Sequence, residues 1–279
     1  MKTDGRRKST NVEDRRGRGG GGAIALGGGG LGIVGIILFL LLGGNPTELI
    51  NNNATAPNQP YVETEQDREL ADFVSVVLAD TEDIWTELFQ QQGLTYENPT
   101  LVLYTGQVDT ACGYGSAAAG PFYCPGDQKL YIDLQFYNEL QTTFKAPGDF
   151  AMAYVIAHEV GHHVQTLLGI SDQVMPLRQK MSEEQFNKYL VRFELQADYF
   201  AGVWAHHAQG RGYLERGDLQ EAITAAGAVG DDTIQKRARG YVVPESFTHG
   251  TATQRIYWFE HGFELGTIAG GDTFNETEK

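Results

Sequence analysis

His158 and His162 stand four residues apart in His158-Glu159-Val160-Gly161-His162. On an α-helix that spacing puts both imidazoles on one face, one turn apart, within reach of a single metal ion. Glu159 then lies about 100° round the helix from His158, placed to address a metal-bound water without ligating the metal. Two zinc ligands and a general base in five residues are what hydrolysis by a zinc-activated water requires. His163 points about 100° away from His162 and is excluded as a ligand.

A catalytic zinc takes a third protein ligand and leaves one position for water. Glu194 and Asp198 offer it: they sit one turn apart on the next long helical stretch, along the edge of its apolar stripe. Glu194 is the expected ligand, with Asp198 as the alternative. If Glu194 ligates, Asp198 can accept the free imidazole N–H of a histidine ligand and fix its tautomer. Developing negative charge on a substrate carbonyl needs a further donor. His249 in the small-residue turn Phe247-Thr248-His249-Gly250-Thr251, Arg255 six residues on, and Tyr154 are the candidates. His206, His207 and His261 have no metal-like partner in the sequence.

These residues need packed helices behind them. The pattern predicts an amphipathic helix from about Asp67 to Gly93, and short strands over Pro99–Tyr104 and Lys129–Leu134. Gly106–Gly126 reads as a loop, and Phe136–Phe144 as a short helix. The histidine helix runs from about Asp149 to Gly169. Met181–Gln209 follows, with Ser182-x-x-Gln185 as its capping box, then helices near Asp218–Ala228 and Thr253–Glu264. The fold class is α+β, mostly helical with a small sheet. In zinc hydrolases an edge strand often pairs with extended substrate; either predicted strand is a candidate.

The net charge of −15 is unevenly spread. Residues 1–18 hold seven Lys/Arg and three Asp/Glu, so 14 basic and 33 acidic residues remain for everything after them. An acidic body excludes nucleic acid as the partner, because it repels phosphates. Ala23–Leu42 is a run of 20 residues without a charge. At ~1.5 Å per residue it matches a hydrocarbon core of ~30 Å. Basic residues on its N-terminal side predict a signal anchor with the N-terminus in the cytoplasm and the body outside. The organisation expected is a disordered basic tail at 1–22, a transmembrane anchor at 23–42, an extracytoplasmic linker at 43–66 and one domain at 67–279. Oligomeric state is open: Gly28 and Gly32 have the spacing of a helix contact within a Gly-rich run. In an oxidising compartment Cys112 and Cys124, the chain's two cysteines, are expected to close a loop by a disulfide.

Several strings together resemble one family. They are Cys112-Gly113 with Gly120-Pro121-Phe122-Tyr123-Cys124-Pro125, Leu130-Tyr131-Ile132-Asp133, the His158–His163 string, Glu194-Leu195-Gln196-Ala197-Asp198, Ala201-Gly202-Val203-Trp204, and Phe247–Thr251 followed by Gln254-Arg255. The chain is similar over roughly residues 1–265 to the neutral zinc metallopeptidases of YpfJ type, bacterial membrane-anchored proteins. Tyr199 departs from that pattern, off the ligand face. The resemblance implies a zincin-like domain, one Zn2+ held by His158, His162 and Glu194, Glu159 as catalytic acid/base, and peptide or protein substrates. A catalytically idle zinc-binding envelope protein is the alternative, which an intact Glu159 disfavours.

Overall fold

The computed structural model describes residues 1–17 and 61–275. The predicted anchor at 23–42 and most of the predicted linker lie outside the described residues. Among the described residues no helix is long and apolar enough to cross a membrane.

The chain's first described element is a strand, β1 (Val12–Asp14), although residues 1–22 were expected to be a disordered tail. It pairs in parallel with β2 (Thr100–Tyr104) as the outer strand of a four-stranded sheet, in which β6 (Lys129–Asp133) follows β2 and β5 (Phe122–Cys124) closes the order β1-β2-β6-β5. A tail with Met1 and Val12 as its two large apolar residues has no periodicity to reveal a strand. It is held by backbone pairing and by charges that only the fold supplies: Arg6 and Arg7 meet Asp80 and Glu82 on the first long helix. That helix, α1 (Glu65–Gln91), starts at a capping box between Thr64 and Asp67. It buries Val74, Val77, Ile84, Trp85 and Phe89 at helical spacing.

The stretch expected to be a loop contains three strands. β3 (Gln107–Thr110) and β4 (Gly113–Ser116) form an antiparallel hairpin, and β5 (Phe122–Cys124) pairs antiparallel with β6 (Lys129–Asp133). Glycines hid them: Gly115 faces the Phe122 ring, where any Cβ would lie 2.6 Å from it. The Cys112–Cys124 disulfide ties the end of this hairpin to β5. β2 and β6, the strands foreseen, pair in parallel with each other inside the sheet, so neither is an edge. The edge that touches the histidine helix is β5.

After the short α2 (Gln135–Thr142) comes α3 (Asp149–Leu167), buried on every side from Phe150 to Gln165. Glu221 caps it, accepting the Phe150 N–H at 3.0 Å, and Gly169 in the left-handed region ends it. A one-turn α4 (Ile170–Val174) leads to α5 (Glu183–Gly210), which begins at the Ser182–Gln185 capping box. Then follow α6 (Asp218–Ala228), α7 (Asp231–Arg239) and α8 (Ala252–Leu265). α7 went unpredicted because its sequence is almost all polar. The core lies where α3 packs against α1, α5 and α6, with Phe150 stacked on Trp204 at 5.5 Å. The α+β class and the small sheet are as read from the sequence.

Candidate metal centre

Two helices carry the site: α3 brings His158, Glu159 and His162, and α5 brings Glu194 and Asp198. Their close approach depends on Gly161. A Cβ there would stand 2.9 Å from the carbonyl oxygen of Ala197 and 3.0 Å from its Cα. With no side chain between the backbones, Glu194 reaches both histidines: its Oε2 is 3.2 Å from His158 Nε2 and 3.4 Å from His162 Nε2. One ligand atom from each of the three lies within 4.8 Å of the others.

The far nitrogens of both rings are held. His158 Nδ1 donates to Asp198 Oδ1 at 2.9 Å. His162 Nδ1 donates to Gln165 Oε1 at 2.8 Å, and Gln165 in turn donates to the Phe193 carbonyl and to Gln196. These bonds put a proton on each Nδ1 and turn each Nε2 toward Glu194, where it can ligate a metal once its own proton has left. Two imidazole nitrogens and a carboxylate, oriented in this way, fit a zinc ion. Sequence reasoning missed Gln165, although it lies one turn beyond His162 on the same helix.

Asp198 is fully buried at the centre of a polar cluster. Arg255 donates to both its oxygens, at 2.8 and 2.9 Å, and the Tyr154 hydroxyl donates to Oδ1 at 2.5 Å. Arg255 also donates to Tyr154 at 3.1 Å. Burial pushes the Asp198 carboxyl up, but Arg255 and His158 outweigh it and hold it at about 2. Arg255 and Tyr154, named from the sequence as donors toward substrate, are thus engaged behind His158 instead. Burial opposes charge on His158, yet Asp198 and Glu194 overcome it and raise its pKa to about 9. Glu159 is buried, and that burial raises its carboxyl above the ordinary range.

His249 arrives from the turn before α8. Asp231, at the start of α7, gathers that turn by accepting the N–H groups of Thr248, His249 and Gly250 at 2.7, 2.7 and 3.1 Å. Its other oxygen lies 3.3 Å from His249 Nδ1. His249 Nε2 is buried and has no hydrogen-bond partner among the described residues. Burial works against charge on this ring, but Glu194 and then Asp231 outweigh it and raise its pKa. His163 points the other way, bonding the Glu97 carbonyl at 2.6 Å and the Tyr123 hydroxyl at 3.0 Å, and burial lowers its pKa to about 4. His206 and His207 bond carbonyls at the end of α8.

A family model described as "Putative neutral zinc metallopeptidase" matches residues 1–274. The chain is 46% identical over 289 residues to Uncharacterized protein YpfJ of Escherichia coli (strain K12), covering 99% of this chain and 100% of that one. It is 44% identical over 194 residues to an uncharacterized protein of Mycobacterium tuberculosis (strain ATCC 25618 / H37Rv), covering 66% and 64%. No solved structure matches it.

Proposed function

The chain belongs to the putative neutral zinc metallopeptidase family, and from that membership we propose that it hydrolyses peptide bonds at the centre formed by His158, His162 and Glu194. The observation that carries this reading is the convergence of those three donors with both Nδ1 atoms tied down. A zinc ion held there would supply a water acidic enough to attack at neutral pH.

The protein's own groups do the rest. Glu159, one residue along from His158, takes the proton from the attacking water and delivers it to the leaving amine. Its burial favours this, because a raised carboxyl pKa brings it closer to working pH. His249 supports the developing oxyanion through its unpartnered Nε2, held in place by Asp231. Arg255 and Tyr154 act as positioning residues: they lock Asp198, which orients His158. Extended substrate pairs along β5, the sheet edge beside α3.

We place the domain outside the cytoplasm, attached to a membrane through residues 23–42. The Cys112–Cys124 disulfide supports an oxidising compartment. The zincin likeness of the fold belongs to this same reading.

The test is zinc content by elemental analysis of the full chain, beside peptide hydrolysis. One zinc per wild-type chain, lost in Glu194→Ala, is the expected result. Zinc-loaded Glu159→Gln should bind peptides and cleave none. Zinc binding with no hydrolysis in the wild type would leave the idle envelope protein; no zinc would end the hydrolase reading.

A further inference from the structure

The basic N-terminal segment is built into the domain. Leu101 donates its N–H to the Asn11 carbonyl, and Arg15 donates to the Leu103 carbonyl, both at 2.8 Å, on either side of the β1–β2 pairing. Two buried acids of α1 find their partners here. Asp80 pairs with Arg6, and Glu82 accepts from Arg7, Ser9 and Asn11 at 2.8, 2.5 and 2.7 Å. The Arg6 guanidinium also lies 3.3 Å above the Tyr213 ring.

The segment's end meets the point where the chain resumes. Arg16, its side chain 6% exposed, donates to the Tyr61 hydroxyl at 3.0 Å and the Asp67 carbonyl at 3.2 Å, and pairs with Glu63 at 2.9 Å. A Cβ on Gly17 would stand 3.0 Å from the Tyr61 Cβ. Gly17 and Tyr61 therefore touch, and the whole apolar run Ala23–Leu42 falls between them in sequence. One crossing of a bilayer would separate its two flanks by ~30 Å of hydrocarbon.

We infer that residues 1–17 lie on the same side of the membrane as the zinc domain. This replaces the N-in, body-out anchor expected from the sequence. That expectation treats the basic residues as free charges held back in the cytoplasm. Five of the seven are neutralised by acids: Arg6, Arg7, Lys8, Arg15 and Arg16 pair with Asp80, Glu82, Asp72, Glu13 and Asp14. The inference rests on the membrane attachment proposed above and on nothing in the zinc chemistry.

Single cysteines placed at two exposed positions of the full chain, Lys8→Cys and Tyr241→Cys, test it. Sealed spheroplasts making each variant are treated with a membrane-impermeant maleimide, with an unchanged thermal unfolding midpoint as the check on folding. Both sites labelled, or both protected until detergent is added, is the expected result. One labelled and one protected would overturn the inference. A carbonate wash of the membranes separates the two readings. Chain kept in the pellet is the expected result. Release into the supernatant would overturn the lipid contact while common labelling still placed residues 1–17 beside the domain.

Discussion

Asp198 is the residue on which the metal centre turns without touching the metal position. It takes the His158 Nδ1 proton and the Arg255 fork together, in full burial. Asp198→Asn should weaken zinc binding by about 10–100-fold through lost orientation of His158. It should also lower stability by about 3–5 kcal/mol, because Arg255 loses the carboxylate that balances its charge in the core. Competition titration and thermal unfolding measure the two effects; unchanged zinc affinity would remove Asp198 from the site. A pH dependence follows from His158. Its pKa of about 9 in the metal-free chain lies above its ordinary value, so the proton's contribution to stability is full below about 6.5 and fades as pH rises through 9. Zinc must displace that proton, so uptake near pH 7.5 should release about one proton per chain. Calorimetry in buffers of different ionisation enthalpy counts it, and a count of zero would mean that Nε2 is already free.

At the scale of elements, the helices that present the ligands approach through glycine. Beyond Gly161, α5 and α8 meet at Gly202 and Gly262, where an added Cβ would come within 2.0 Å of the Phe259 and Tyr199 carbonyl oxygens. Gly202→Ala should therefore destabilise the fold by about 1–3 kcal/mol, although alanine is the better helix former. Thermal unfolding should show a lower midpoint; an unchanged one would mean that the two helices slide apart at no cost. The hairpin and β5 depend on another device. The Cys112–Cys124 bridge closes a loop spanning 12 positions, worth about 3 kcal/mol through the unfolded state. Cys112→Ala/Cys124→Ala should lower the unfolding midpoint and leave zinc content intact, since neither cysteine lies among the ligands.

For the molecule as a whole, residues 1–17 are part of the domain's stability. A fragment beginning at Tyr61 takes Arg6, Arg7, Ser9 and Asn11 from Asp80 and Glu82 and uncovers the core that Met1 packs on, each lost charged hydrogen bond costing about 1.5–3 kcal/mol. That fragment should unfold at lower temperature than the full chain, or aggregate. Joining Gly17 to Tyr61 by a short Gly-Ser linker in place of 18–60 should restore the midpoint and bind one zinc, because the two ends already touch. Equal stability of the Tyr61 fragment and the joined chain would show that the N-terminal segment contributes nothing.

Local patterns in the chain were enough for much of this. Helical spacing placed His158 and His162 together, a capping box located the start of α5, and the apolar stripe of that helix put Glu194 and Asp198 on one edge. Each is a property of neighbours within about a turn, which periodicity reports directly. What the tertiary structure decided involves partners far apart in sequence. Arg255 turns toward Asp198, 57 residues away, rather than toward substrate. Asp231, 18 residues away, holds His249 together with the adjacent Thr248, and a glycine contact between α3 and α5 sets the distance from Glu194 to the histidines. The basic tail shows the limit most clearly. By composition it is a free polyelectrolyte, and it becomes a strand only because α1 and β2, more than 60 residues on, supply the carboxylates and backbone groups it lacks.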